Sequence, residues 1–320
     1  MLDLIDKKLL YALDTDCRQS SSQLARKLKV HRNVVLYRIR RLEQEKIIRG
    51  YFTEIDIKKL GYHSFRTLLK LSNYTAQERE KLISHINATK EVMWLMECDG
   101  RWDIDVVTVW RTIPDFEKFQ EQLHMQFNGI IEEEQIGMLM QLEHFLKEYF
   151  ITTKRSTFVE RKFEKTGITI DIKDYALLRI LASNANIGII ALAKKSKLSI
   201  NTVKERLKKL EKNNVILGYR PFIDTEKTGY TYYKIFITLK HYDAKSFLAL
   251  KAFFSTHPGV IYFTKYLNGV NLEIEIHLSS TDALQKLEEE TRMHYGKIIK
   301  EWFVLRFIKE HTYRYIPESL

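Results

Sequence analysis

A helix-turn-helix-like segment is written twice in this chain, 168 residues apart. Residues 24–62 read LARKLKVHRNVVLYRIRRLEQEKIIRGYFTEIDIKKLGY, and residues 192–230 read LAKKSKLSINTVKERLKKLEKNNVILGYRPFIDTEKTGY. Without a gap, 17 of these 39 aligned positions are identical. The match extends upstream, where Asp6 aligns with Asp174, Leu9 with Leu177 and Leu13 with Leu181. A chain that keeps two such copies presents two similar surfaces to a partner that also repeats. Duplex DNA with paired half-sites is such a partner.

Local patterning gives both copies the same order of elements. Apolar residues at helical spacing predict a first helix over 2–14 and 172–183. A short helix over 21–28, with serine available as its cap, is followed by a turn of about three residues. A longer helix then covers 31–46, or 199–213 in the second copy. IIRGYFTEID and VILGYRPFID each read as two short strands around a glycine, which completes a winged helix-turn-helix. The next stretches also correspond. Strands are expected at 65–71 and 232–240, helices at 76–88 and 244–256, and strands at 92–98 and 260–266. Turns at Asp99-Gly100 and Asn268-Gly269 lead into a further strand each. Helices at 113–127 and 281–294 and a final strand complete a βαββαβ order, which implies a ferredoxin-like antiparallel sheet with helices on one face.

The fold class is therefore α+β. The boundaries are a winged domain over 1–62, a sandwich over 63–150, a basic linker over 151–167, a second winged domain over 168–230 and a second sandwich over 231–320. Charge follows this division. The two winged segments carry 14 basic residues against 8 acidic and 12 against 6, whereas residues 63–150 carry 9 against 15. Positive charge concentrated in the repeated segments and the linker suits a polyanionic partner. Hydrophobic residues make up 45% of the chain, ample for packed cores. No apolar run is long enough for a membrane helix, and the acidic residues near the N-terminus do not suit a secretory signal. A cytoplasmic protein is expected. Cys17 and Cys98 stand apart, with no metal-ligand spacing, and read as reduced structural residues. No metal site and no cofactor is expected.

The chemistry sits on the two long helices. On a helical wheel Val35, Ile39 and Leu42 face inward, as do Val203, Leu207 and Leu210 in the second copy. Asn33, Leu36, Tyr37, Arg40 and Arg41 face outward, against Asn201, Lys204, Glu205, Lys208 and Lys209. A recognition helix uses its N-terminal outward residues on base edges and its later basic residues on phosphates. The candidate DNA contacts are Arg32, Asn33, Tyr37, Arg38, Arg40 and Arg41 in the first copy. In the second they are Ser199, Asn201, Thr202, Lys204, Arg206, Lys208 and Lys209. Asn33 and Asn201 stand at equivalent places, and asparagine can bond adenine bidentately; service to the helix N-terminus is the other role open to them. Arg38 and Arg206 fall at the edge of the apolar face, suited either to a phosphate or to a carboxylate inside the domain. The unlike outer faces, with Tyr37 against Glu205, predict an asymmetric site with half-sites about one helical turn apart.

These stretches together resemble the Lrp/AsnC family of prokaryotic transcription regulators. The resemblance rests on LIDKKLLYAL with Arg18 after it, QLARKLKV, VVLYRIRRLEQEKIIRGY and IDIKKLGY in the first copy. In the second it rests on residues 192–219 and on DTEKTGY. It covers nearly the whole chain, twice. Members usually carry one copy and dimerise, so the resemblance implies a fused, asymmetric pseudo-dimer of bacterial or archaeal type, with further homo-oligomerisation open. The usual serine at the start of the recognition helix is Ser199 in copy two but His31 in copy one. The resemblance also implies that the sandwich domain binds an amino-acid effector through a Gly-x-x-Asp turn. Copy one has it as Gly100 and Asp103, and copy two is read as Gly269 with Leu272 in place of the aspartate. A purely structural role for Asp103 in the turn is the competing reading.

Two rivals to a sequence-specific regulator remain. One is a sequence-blind architectural DNA-binding protein, since phosphate contacts dominate affinity in either case. The other is an enzyme. No Walker loop, zincin motif or nucleophile elbow is present, so no catalytic residue is assigned. The siroheme decarboxylases look like paired Lrp-type subunits, yet MECDGRWDID and TKYLNGVNLEIEIH do not resemble their His/Arg-containing tetrapyrrole segment. Trp94, Trp102, Trp110 and Trp302 are expected in strands as core or interface residues. The runs 132–134 and 288–290 are expected as solvated acidic faces.

Overall fold

The computed structural model describes residues 2–152, 169–241, 243–267 and 272–318. Nearly all of the expected basic linker, and the Asn268-Gly269 turn, lie outside these residues. Each half opens with three helices. These are α1 (Leu4–Thr15), α2 (Ser21–Leu28) and α3 (Arg32–Gln44), then β1 (Ile48–Ile55). After β1 come β2 (His63–Leu71), α4 (Ala76–Ala88), β3 (Val92–Asp99), β4 (Ile104–Trp110), α5 (Ile113–Phe127) and β5 (Ile131–His144). The second half repeats the series. It has α6 (Ile172–Ser183), α7 (Ile189–Ser196), α8 (Ile200–Lys212) and β6 (Ile216–Ile223). It continues with β7 (Thr231–Leu239), α9 (Ala244–Ser255), β8 (Val260–Leu267), β9 (Leu272–Leu278), α10 (Thr281–Tyr295) and β10 (Ile299–Tyr313).

The helix starts are set by side chains. Asp3 and Asp6 form a capping box on α1, and Asp171 with Asp174 repeat it on α6. Ser20 and Gln23 box the start of α2. The apolar stripes of all six helices meet in a single core that contains Leu9, Val35 and Leu42 from the first half and Leu177, Val203 and Leu210 from the second. The two helical units are therefore one body.

The expected wing hairpin is not formed. Gly50 and Gly218 are not in the left-handed region, so the chain runs straight through each as one strand. A lone strand must find its hydrogen-bond partner elsewhere. β1 finds it in β6, antiparallel, with Phe52 opposite Arg220. These two are counterparts under the 168-residue shift, so the pseudo-twofold axis passes through this pair. The exchange goes further: α1 lies against β6 and α6 against β1. The Thr53 hydroxyl donates to the Leu181 carbonyl at 2.7 Å, and the Arg18 guanidinium to that of Ala185 at 2.9 Å.

Each sandwich keeps the ferredoxin-like strand order, β5-β2-β4-β3 in the first half and β10-β7-β9-β8 in the second. They are not two separate sheets, however. β5 pairs with β8 and β10 pairs with β3, closing all eight strands into an antiparallel barrel. Closure removes the four exposed edges that two open sheets would present. β5 and β10 serve it by their length, 14 and 15 residues, which lets each run past its own sheet. Helices α4 and α5 cover the outer face of one half and α9 and α10 that of the other, over two hydrophobic cores. Trp94 and Trp102 join Phe236 and Phe307 in a further core cluster; Trp102 stands in the turn before β4 rather than in a strand.

Candidate nucleic-acid interface

The two helices α3 and α8 are placed by matching turns. Lys29 and Lys197, which follow α2 and α7, both take the left-handed conformation, with φ 55° and 56°. That tight turn delivers the chain to the next cap. In copy one His31 accepts from the Asn33 backbone N–H through Nδ1 at 3.2 Å, so histidine does the capping expected of serine. In copy two the Ser199 hydroxyl accepts from the Thr202 N–H at 3.1 Å and bonds the Thr202 hydroxyl. Ser199 and Thr202 are thus tied to the helix start. With the caps supplied by His31 and Ser199, the side chains of Asn33 and Asn201 stand exposed on the first turn.

The inward face is as the wheel gives it: Val35, Leu42, Val203, Leu207 and Leu210 are buried, and Ile39 is half-buried. On the outward side, four of the basic residues have partners within the protein. Arg38 Nη1 binds Asp3 at 2.7 Å and Asp6 at 2.6 Å, and Arg206 Nη1 binds Asp171 at 2.7 Å and Asp174 at 2.8 Å. Arg41 adds a second contact to Asp6, and Lys209 reaches Asp174 at 3.3 Å. These four cations therefore clamp each recognition helix to the first helix of its own unit. The reason is local: one acidic pair, three residues apart, caps that helix and also faces the basic stripe. Asp6 and Asp174 have no solvent exposure, so their charge must be paired where it stands. The bond to the Asp6 backbone N–H, then the Arg38 guanidinium, holds the Asp3 carboxyl below the usual carboxylate range. Arg206 does the same for Asp171.

What remains outward is a shorter set. Arg32, Asn33, Tyr37 and Arg40 are exposed in copy one, with Arg32 steadied by its Nε bond to the Ser21 hydroxyl at 2.8 Å. Tyr37 is 65% exposed, an unusual position for so large a ring. Copy two exposes Asn201, Lys204, Glu205 and Lys208, and Lys209 too is exposed while it reaches Asp174. The two surfaces share position and differ in chemistry.

The Gly-x-x-Asp turn is bound into the sheet beside it. Gly100 has φ +134°, and a Cβ there would lie 2.7 Å from the Val304 carbonyl oxygen. Asp103 accepts from the Leu71 N–H at 2.8 Å and pairs with Lys70 at 3.2 Å. Its carboxylate is committed to the strand beside it. Strands β3 and β4 map onto β8 and β9 at a shift of 168, so Asp103 aligns with Asn271, not with Leu272.

Two clusters escaped the sequence reading. Arg220, 2% exposed, reaches Glu54 of the other half at 2.8 Å and the Asp14 carbonyl. Inside the barrel Arg66 pairs with Glu273, and Lys234 with Asp105 at 3.0 Å and Glu275 at 3.3 Å. A signal for the second cluster existed: a cation recurs at the same place in both copies, in mid-strand among aliphatic and aromatic residues. Among the described residues there is no cluster suited to a metal ion, and no helix is long and apolar enough to cross a membrane.

The AsnC-type helix-turn-helix domain model matches residues 2–43, and a winged helix-turn-helix DNA-binding model matches residues 170–216. The Bkd operon transcriptional regulator of Pseudomonas aeruginosa is 32% identical over 119 residues, covering 37% of this chain and 78% of that protein. The HTH-type transcriptional regulator Ptr1 of Methanocaldococcus jannaschii is 28% identical over 120 residues, covering 37% of this chain and 79% of its own length. Among solved structures, the siroheme decarboxylase NirDL superposes with a TM-score of 0.66 over 97% of this chain and 92% of its own, at 14% identity. That likeness is one of fold, including the doubled arrangement.

Proposed function

The chain belongs to the Lrp/AsnC family of transcriptional regulators, and on that premise we propose that it binds duplex DNA as a dimer built into one chain, with α3 and α8 reading two unlike half-sites. One observation carries this reading. Asn33 and Asn201 stand exposed at the same position of the two recognition helices, freed from capping by His31 and Ser199. Asparagine so placed suits an adenine edge in the major groove. Arg32, Arg40, Lys204 and Lys208 supply the phosphate contacts that fix register. Arg38, Arg41, Arg206 and Lys209 hold the helices in position instead. Glu205 faces the groove in copy two, where only a cytosine amine would welcome it. Binding to promoter DNA then occludes or bends it.

Footprinting on genomic DNA tests the proposal: protection at a few sites supports sequence-specific regulation, and uniform protection supports a coating protein. A titration in which perfect palindromes bind as tightly as asymmetric sites would count against unlike half-sites. Because Asp103 is engaged with Leu71 and Lys70, we place no amino-acid effector on it. The fold shared with NirDL carries no chemistry by itself. Incubation with a siroheme-type tetrapyrrole is expected to return it without loss of a carboxyl group.

A further inference from the structure

Between the paired strands β1 and β6 and the interior of the barrel lies a cavity of about 600 Å3. Phe52 and Glu54 of β1 bound one side, and Trp94, Tyr262 and Glu275 of the barrel bound another. The 168-residue shift carries its lining onto a second cavity of about 310 Å3: Ile55 becomes Ile223, Met93 becomes Ile261, and Leu139 becomes Phe307. The fold thus offers two equivalent spaces, and the side chains leave one of them about twice as large as the other. Where the larger cavity has Ser64 and Val109, the second half has Tyr232 and His277. Where it has Phe52, the second half has Arg220, whose guanidinium is spent on Glu54 and the Asp14 carbonyl. Natural small-molecule sites measure about 300–1,000 Å3.

We infer that the larger cavity is a ligand site, one per chain, for a compact aromatic molecule that carries a single negative charge. The walls are rings: Phe52 and Tyr315 stack at 3.8 Å between centroids, and Tyr313 meets Tyr315 edge-on at 4.5 Å. Such faces suit a flat aromatic guest. The carboxylates that face the space are neutralised, Glu54 by Arg220 at 2.8 Å and Glu275 by Lys234 at 3.3 Å, so the interior has no call for a cation. The buried hydroxyls of Thr264 and Tyr315 have no hydrogen-bond partner among the described residues, and both residues line the space. Buried polar atoms of this kind are rarely left unpaired. At the rim, the Lys58 and Lys59 ammonium groups donate to the Met140 and Asn213 carbonyls at 3.0 and 2.6 Å, with Asp56 the carboxylate beside them. Two positive charges against one favour an anionic group there.

An occupant would press on β1, which leaves α3 directly and is tied back to it by the Tyr51 hydroxyl on Glu43 at 2.7 Å. That consequence for DNA rests on the regulator reading; the binding itself does not.

Calorimetry on the full chain with 2-naphthoate tests the site, with 2-naphthylmethylamine as the charge-reversed probe. The expected result is saturable binding of one naphthoate per chain, with the amine weaker by about tenfold or more. Copying the second half into the first, Ser64→Tyr with Val109→His, should abolish binding while the circular dichroism spectrum stays unchanged. If that pair fails to fold, Leu139→Phe fills the same space from β5. Undiminished binding by a folded, cavity-filling variant, two sites per chain, preference for the amine, or no binding of naphthoate overturns the inference. DNA affinity is measured separately without probe, so its absence would remove the regulator reading alone.

Discussion

Lys234 and Arg66 hold the same place in the two halves, and each is paired across the barrel with the other half's carboxylate. Lys234 Nζ lies 3.0 Å from Asp105, and Arg66 binds Glu273, which is the counterpart of Asp105 under the 168-residue shift. All four side chains are buried. Burial alone would lower the Lys234 pKa, but Asp105, Glu275 and Glu273 together hold it above the usual lysine range. Charges moved from water into such a place recover little net stability from their attraction. What the crossed pairs do supply is discrimination: a half that slipped, or failed to pair, would leave a charge buried alone.

Arg66→Met leaves Glu273 without its guanidinium and is expected to lower unfolding free energy by about 3–5 kcal/mol. Adding Glu273→Leu should recover most of that loss, because it removes a buried carboxylate left with only the longer contact to Lys234 at 3.6 Å, while Lys234 keeps Asp105 and Glu275. Urea denaturation midpoints check both. A double variant as unstable as the single one would mean that the cost lay in packing, not in charge.

The division of labour along α3 makes a contrast between neighbours. Arg40→Ala should leave the thermal midpoint unchanged, weaken DNA binding across sequences, and reduce the salt slope of the binding constant by about one. Arg38→Ala should instead destabilise the helical unit by about 1–3 kcal/mol, since Asp3 and Asp6 lose a charged donor. A filter-binding salt series with a parallel melting curve separates them. Equal effects from the two alanines would dissolve the distinction.

The repeat made most of this architecture legible. Helices and strands in both halves fall close to where apolar spacing places them, because that spacing is a local signal. Partner choice is not local. Gly50 and Gly218 read as the turn of a hairpin, yet the strand passes straight through and pairs with its copy in the other half. The crossed closure by β5 and β10 was hidden for the same reason. At Arg38 and Arg206 the wheel left a tie between phosphate and internal carboxylate. Asp3 and Asp6, and likewise Asp171 and Asp174, break it, and both pairs were visible as caps. Arg66 and Lys234 were readable in principle as paired mid-strand cations, but only a structure shows that their partners lie in opposite halves.

Acid should loosen the seam between helical units and barrel. Burial, then the Arg220 and Lys147 charges, lower the His144 pKa to about 4 despite the opposing pull of Glu54. The folded state thus keeps this imidazole neutral while the unfolded chain protonates it at about 6.5. Its contribution to stability is complete above pH 6.5 and is lost as pH falls from there toward 4. His277, lowered well below its ordinary value chiefly by burial, acts in the same direction. Relative to His144→Gln, the native chain should lose about 3 kcal/mol across that window. Denaturation series at several pH values would show it, and parallel curves for the two proteins would exclude His144 as the cause.

The unlike outer faces of α3 and α8 predict that the two halves of a bound site respond to different substitutions. Asn33→Ala should relax preference at one half-site by about 1–3 kcal/mol of discrimination, and Asn201→Ala at the other, with total affinity for non-specific DNA nearly unchanged. Glu205→Gln removes the acidic group that stands among Asn201, Lys204 and Lys208 on α8, so it should strengthen binding to all sequences and weaken selection in that half alone. Selection from a randomised duplex library, run in parallel on the native chain and the three variants, reads these effects position by position. If either asparagine variant altered both half-sites equally, the helices would be reading one repeated sequence, and the divergence of Tyr37 from Glu205 would need a cause outside DNA recognition.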